Sequence, residues 1–171
     1  PAEGEVPLAA LGELGAVVGD DGLTSDFLDQ ALSGYQAFLG KVIGSTVEAD
    51  RSWSRVQAGV GLLRLCALPR LLHLFRALPP AATYGFAEKA DQATQDAYEK
   101  LLTAKLTTRS QQTQAALPTR LGGSGMLRFK KLRAQAWLGS WLGTLPAVRS
   151  LAGAGMASCA DVTQGAATWA A

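Results

Sequence analysis

Arg120, Arg128, Lys130, Lys131 and Arg133 gather around the glycine-rich segment Gly122-Gly123-Ser124-Gly125. Bases at this density, beside backbone N–H groups that glycine leaves accessible, suit the phosphates of a polyanion, because charge-assisted bonds to phosphate oxygens are strong and need no base reading. The cations from Arg128 to Arg133 also fall where a helix is expected to begin, which opposes the helix dipole. A segment shaped only by packing would more readily place acids there. The pattern therefore predicts a backbone-binding surface made of Arg120, Gly122, Gly123, Arg128, Lys130, Lys131 and Arg133. The plainer reading of the glycines is a hinge that turns the chain. The loop lacks the G-x-x-x-x-G-K-[ST] spacing and the preceding strand of a nucleotide-hydrolysing phosphate loop.

Little else in the chain points to chemistry. His73 is the sole histidine, and with Cys66 and Cys159 it makes no C-x-x-C or H-x-x-H spacing, so no metal site is indicated. No Ser-His-Asp or comparable arrangement supports nucleophilic catalysis. Asp20-Asp21 looks like part of a two-metal carboxylate pair, but such a site needs a third carboxylate, and the pair lies in the turn signal Gly19-Asp20-Asp21-Gly22. No catalytic residue, metal or cofactor is expected. Cys66 reads as a small core residue. Trp137 and Trp141, spaced i and i+4 with Leu138 and Leu145, read as core or interface anchors. Trp141 and Trp169 are the candidate partner-docking aromatics.

These residues must be positioned by helices. Phe27, Leu28, Ala31, Leu32, Tyr35, Phe38, Leu39, Val42 and Ile43 repeat at three and four after a cap at Thr24 or Ser25, predicting a helix to about Gly44. A second helix is expected over 48–68, a shorter one from Pro69 to Leu78 that Pro79-Pro80 ends, and a third long one over 83–106. A short helix at 110–116 and another over 127–142 follow. Buried positions should include Phe38, Leu39, Trp53, Val56, Val60, Leu63, Leu101 and Trp137. The expectation is an all-α, mainly bundled domain over 24–145. Before it, residues 1–23 form an acidic segment with a short hairpin or turn around Ala16-Val17-Val18, and after it comes an Ala/Gly-rich tail over 146–171.

At 171 residues one domain is the prior. The charged fraction of 18% is low, which hints at surface buried against something else. The net charge of +2 conceals a polarised chain. Residues 1–50 carry nine acids against Lys41 alone, and residues 101–160 carry eight bases and no acid. Such asymmetry fits a polyanion partner, contact between the two ends or self-association, or a solvated face. Arg64, Arg70, His73 and Arg76 interrupt the most apolar run, so no membrane-spanning segment is expected. Without a secretory h-region at the start, a reducing intracellular compartment is favoured.

Three pieces of the chain, in order, resemble one family. The run Leu62-Leu63-Arg64-Leu65-Cys66-Ala67-Leu68-Pro69-Arg70-Leu71-Leu72-His73-Leu74-Phe75-Arg76-Ala77-Leu78-Pro79-Pro80 is similar to a pattern that follows the polymerase palm in reverse transcriptases of non-LTR retrotransposons. Upstream, Leu14-Gly15-Ala16-Val17-Val18-Gly19 with Phe27 resembles the element opening that family's primer-grip hairpin. Downstream, Leu117-Pro118-Thr119-Arg120-Leu121-Gly122-Gly123-Ser124-Gly125-Met126 resembles its L-P-x-x-x-G-G-L-G-L loop, with Ser124 and Met126 in place of leucines, followed by Ala134, Ala136, Trp137, Ser140 and Trp141 as in its A-x-x-A-S-W helix. The likeness spans roughly 14–146, and the palm aspartates have no counterpart in it. It implies a non-catalytic, thumb-like helical module that holds nucleic-acid backbone through its basic residues. The alternative is a domesticated scaffold or accessory subunit of a larger protein complex, with no nucleic-acid role.

Overall fold

Leu28, Leu32, Tyr35, Leu39 and Val42 alternate steps of four and three, so a 3.6-residue helix brings all five to one side. They are buried along α1, Asp21–Ile43. The computed structural model describes residues 21–48 and 53–152. Five further helices follow: α2 Trp53–Leu62, α3 Leu68–Ala77, α4 Tyr84–Leu102, α5 Arg109–Ala116 and α6 Phe129–Ala152. The fold is all-α, and the described residues contain no strand. The expected hairpin around residues 16–18 lies outside them. The expected cap at Thr24 or Ser25 does not form, because Asp21 and Gly22 already belong to α1 and Thr24 is a buried residue in its first turn. Gly19 and Asp20 of the expected turn lie outside the described residues.

α1 packs on α4, and α6 packs on α3 and α4. Ala87, Ala90, Thr94 and Ala97 line the buried side of α4, where small side chains permit close approach. One aromatic cluster joins all four helices. Phe75 of α3 stacks on Phe129 of α6 at 5.2 Å and lies 5.5 Å from Phe86 of α4, and Tyr35 of α1 meets Phe129 edge-on at 6.4 Å. The Tyr35 hydroxyl lies 2.8 Å from the Thr94 hydroxyl. Thr94 donates its own proton to the Ala90 carbonyl, so Tyr35 is the donor. Burial pushes the Tyr35 phenol up to about 12.

Pro69 does not break the chain into two helices. Leu63–Ala67 forms a π-turn ahead of it, and the Leu68 N–H bonds to the Leu63 carbonyl. The wider turn absorbs the proline, which lacks an N–H and would otherwise crowd the carbonyl four residues back. Leu63, Ala67, Leu68, Leu71, Leu74 and Phe75 remain on the inner side. Cys66 is displaced outward and is exposed, not a core residue. The continuous stretch Arg55–Ala77 is long and apolar enough to cross a membrane by length and composition alone. Its inner stripe is occupied by the bundle core.

Two other boundaries differ from expectation. α4 ends at Leu102 because Thr103 is left-handed (φ 52°), with its N–H on the Lys100 carbonyl and the Ala104 N–H on the Glu99 carbonyl. This is the paired closure of a Schellman end, made without the usual glycine. The Glu99 carboxylate accepts from Gln95 and from the Leu106 N–H, which hold it below its ordinary value and fasten the segment that leaves α4. At the other end, α6 runs through Pro146 to Ala152, past the expected tail boundary. Of the expected core, Leu39, Leu63 and Leu101 are buried, and Phe38, Val56, Val60 and Trp137 are half-buried. The Trp53 side chain lies outside the described residues.

Candidate functional site

Tyr84, Glu88, Asp91 and Gln95 are spaced four, three and four apart, so α4 presents them as one polar stripe. That stripe faces the start of α6. Asp91 accepts the Phe129 N–H at 2.7 Å and the Lys130 N–H at 3.1 Å, capping α6 from another helix. Glu88 accepts from the Lys130 ammonium, and this bond draws the Glu88 carboxyl below and the Lys130 ammonium above their ordinary values. Gln95 accepts from Arg128 at 3.4 Å. The Lys130 ammonium and the Arg133 guanidinium also sit over the Tyr84 ring, 4.7 and 4.8 Å from its centroid. Arg133 donates to the Pro80 carbonyl, while its Nε is buried without a hydrogen-bond partner among the described residues.

This arrangement changes the meaning of the cations at the start of α6. The acids expected at a helix N-terminus are present, supplied by α4 in place of α6 itself. Asp91 is half-buried, and burial holds its carboxyl above the ordinary carboxylate value, against the two N–H bonds and the charges of Arg128 and Lys130. Lys131 is exposed and makes no ion pair among the described residues.

The glycine loop is likewise used internally. A capping box starts α5, with Thr108 and Gln111 exchanging bonds of 3.3 and 3.1 Å. A 3-10 turn at Thr119–Leu121 then carries exposed Arg120 into Gly122. The N–H groups of Gly122, Gly123 and Gly125 donate to the Thr119, Pro118 and Leu117 carbonyls, and that of Met126 to Ala115. None of these four is left for a phosphate. Gly122 and Gly125 adopt positive φ of 76° and 70°, which only glycine enters without steric cost. A Cβ at Gly123 would lie 2.0 Å from the Leu117 carbonyl oxygen, so the backbone would have to move. Gly123→Ala is expected to destabilise the fold by about 1–3 kcal/mol, read as a lowered urea midpoint. An unchanged midpoint would show the loop to be loosely packed.

The three evenly spaced arginines have three different settings. Arg64 lies against Gly125, where an added Cβ would sit 3.1 Å from its side chain. Arg70 covers the Phe38 ring at 4.1 Å, and Arg76 is exposed. His73 is exposed. Among the described residues no group of His, Cys, Asp and Glu could hold a metal ion.

The second half of α6 has a different character. No charged residue occurs from Ala134 to Val148. Leu138, Trp141 and Leu142 remain 45%, 40% and 55% exposed, while Trp137 tilts against Trp141 with centroids 5.9 Å apart. Trp169 lies outside the described residues. The fold and this surface define an all-α module with an internally paired basic cluster and an apolar helix face. Comparison with protein-family models, curated proteins and solved structures finds no match.

Proposed function

We propose that this chain is a non-catalytic helical module that acts as an accessory or scaffold subunit of a larger protein assembly, docking through the apolar face of α6. The observation that carries this reading is the exposed stripe of Leu138, Trp141 and Leu142 on the uncharged stretch of α6 from Ala134 to Val148. Exposed apolar residues in one contiguous patch are characteristic of interaction surfaces, and aromatic anchors dominate such interfaces. The inward pairing of Lys130, Arg128 and Arg133 supports the same conclusion, because these cations already have partners. The order of motifs in the sequence along residues 14–146 supports descent from the thumb region of a retroelement reverse transcriptase.

A second reading, binding of nucleic-acid backbone, is favoured by Lys131 and Arg120, which remain exposed. Salt separates the two. Docking through α6 should survive elevated ionic strength and be lost in the doubly substituted chain Leu138→Glu, Leu142→Glu, whose melting temperature should match that of the unmodified chain because both side chains are already exposed. Anisotropy titrations with a mixed-sequence RNA duplex should show no appreciable affinity at moderate salt. Tight binding whose logarithm falls steeply with salt, and whose slope flattens by about one unit per lost contact in Arg120→Gln or Lys131→Gln, would overturn the scaffold reading in favour of the second.

A further inference from the structure

A second surface lies away from α6. Between α1 and α3 runs a groove of about 320 Å³ lined by Phe27, Ala31, Gly34, Tyr35, Leu71 and Leu74, with Arg70 and His73 beside them. Tyr35, Leu71 and Leu74 are buried at its base, and Phe27 and Ala31 are half-buried on its side. Gly34 is exposed, and a Cβ added there would meet nothing within 4 Å. One wall of the groove is therefore missing where an ordinary helix residue would fill it.

We infer that this groove docks an acidic peptide segment of a partner protein, which inserts an apolar side chain over Ala31 and Gly34 and sets carboxylates against Arg70 and His73. Charge complementarity selects the occupant. No acid is among the lining residues, and a guanidinium is permanently charged with five N–H donors. The Arg70 group is held over the Phe38 ring, a placement that fixes its position without using those donors. Among the described residues it makes no hydrogen bond or ion pair, whereas Lys89 and Lys130 each have a carboxylate. The groove's size and openness select a peptide over a free small molecule. Small-molecule sites enclose most of their ligand, but Gly34, Arg70 and His73 all face solvent here. The space suits one or two side chains presented from a scaffold outside it, as when a helix lays its apolar face into a groove. The mostly apolar lining with one permanent cation is unsuited to a phosphate backbone. The inference does not rest on the role given to α6.

The test is fluorescence anisotropy of the full chain with a labelled helical peptide that carries Trp and Leu at i and i+4 flanked by glutamates. Binding should weaken roughly tenfold or more when glutamine replaces those glutamates, and when alanine replaces the Trp and Leu. Gly34→Leu should abolish binding while the melting temperature stays level or rises, since leucine favours an exposed helix position. Arg70→Gln should weaken the acidic peptide alone and leave its glutamine counterpart unchanged. Equal affinity for the acidic and glutamine peptides, or full binding by Gly34→Leu, would overturn the inference. So would tighter peptide binding when Glu3, Glu5 and Glu13 of the chain are replaced by glutamine, because the chain's own acidic residues would then be the occupant. Gly34-dependent binding to phosphatidylserine vesicles would overturn it in favour of a lipid surface.

Discussion

Replacing Phe75 by alanine is expected to lower stability by about 3–5 kcal/mol, the cost of emptying a fully buried aromatic site. Phe75 is wholly inaccessible and touches two other rings, Phe86 at 5.5 Å and Phe129 at 5.2 Å. Those rings belong to α4 and α6, and Phe129 extends the contact to Tyr35 on α1. The cavity would thus open where all four helices meet. A domain of ordinary stability holds about 5–15 kcal/mol in all, so the variant would lose about a fifth or more of it. Its melting temperature should fall on the order of 10 °C, with near-ultraviolet circular dichroism reduced while the far-ultraviolet helix signal persists below the transition. A fall of only a degree or two would remove Phe75 from the centre of the core. Leu72, three residues earlier on the same helix but only half-buried, supplies the comparison, since its truncation should cost clearly less.

Local pattern made most of this bundle legible. The α1 repeat, the Pro79-Pro80 stop and the helix at Arg109–Ala116 follow from spacing and capping residues that act within a turn or two. What escaped depends on contacts between distant residues or on backbone states that side-chain identity does not announce. A threonine at a left-handed position gives no glycine to mark the end of α4. Pro69 reads as a break unless the π-turn before it is known, and the outward position of Cys66 follows from the same turn. Proline within α6 is a similar case.

The basic cluster was visible as charge and opaque as arrangement. Sequence alone left open a polyanion partner, internal pairing or a solvated face, and the structure engages Arg128, Lys130 and Arg133 with Gln95, Glu88 and Tyr84 across about 40 residues of chain. The spacing of Tyr84, Glu88, Asp91 and Gln95 on one side of an expected helix was the available signal. Its opposite charge to the α6 start was the clue to their meeting.

Asp91→Ala should therefore be the most damaging polar substitution. It removes the acceptor for two N–H groups at the start of α6, bonded at 2.7 and 3.1 Å, and leaves them beside the fully buried Phe129 ring. Loss of a helix cap costs about 1–2 kcal/mol and an orphaned buried donor about 1–3, so a loss of about 2–3 kcal/mol is expected, measured by urea unfolding. Asp91→Asn, which keeps one acceptor, should lose less. The two also separate the cap from its charge. Because burial raises the Asp91 carboxyl above its ordinary value, ionising it costs more in the folded chain than in the unfolded one. Its titration then contributes stability that is fully present below the ordinary carboxylate range and is lost as pH rises through the raised value. The unmodified chain should accordingly lose stability relative to Asp91→Asn as pH rises through that window. Glu88 and Glu99, both lowered, act with the opposite sign, since their stability is lost as pH falls through their lowered values. Both remain in each chain, so the difference between the two curves isolates Asp91. A difference that grows with pH would mean that the α6 amides and the nearby cations outweigh burial and hold Asp91 below its ordinary value.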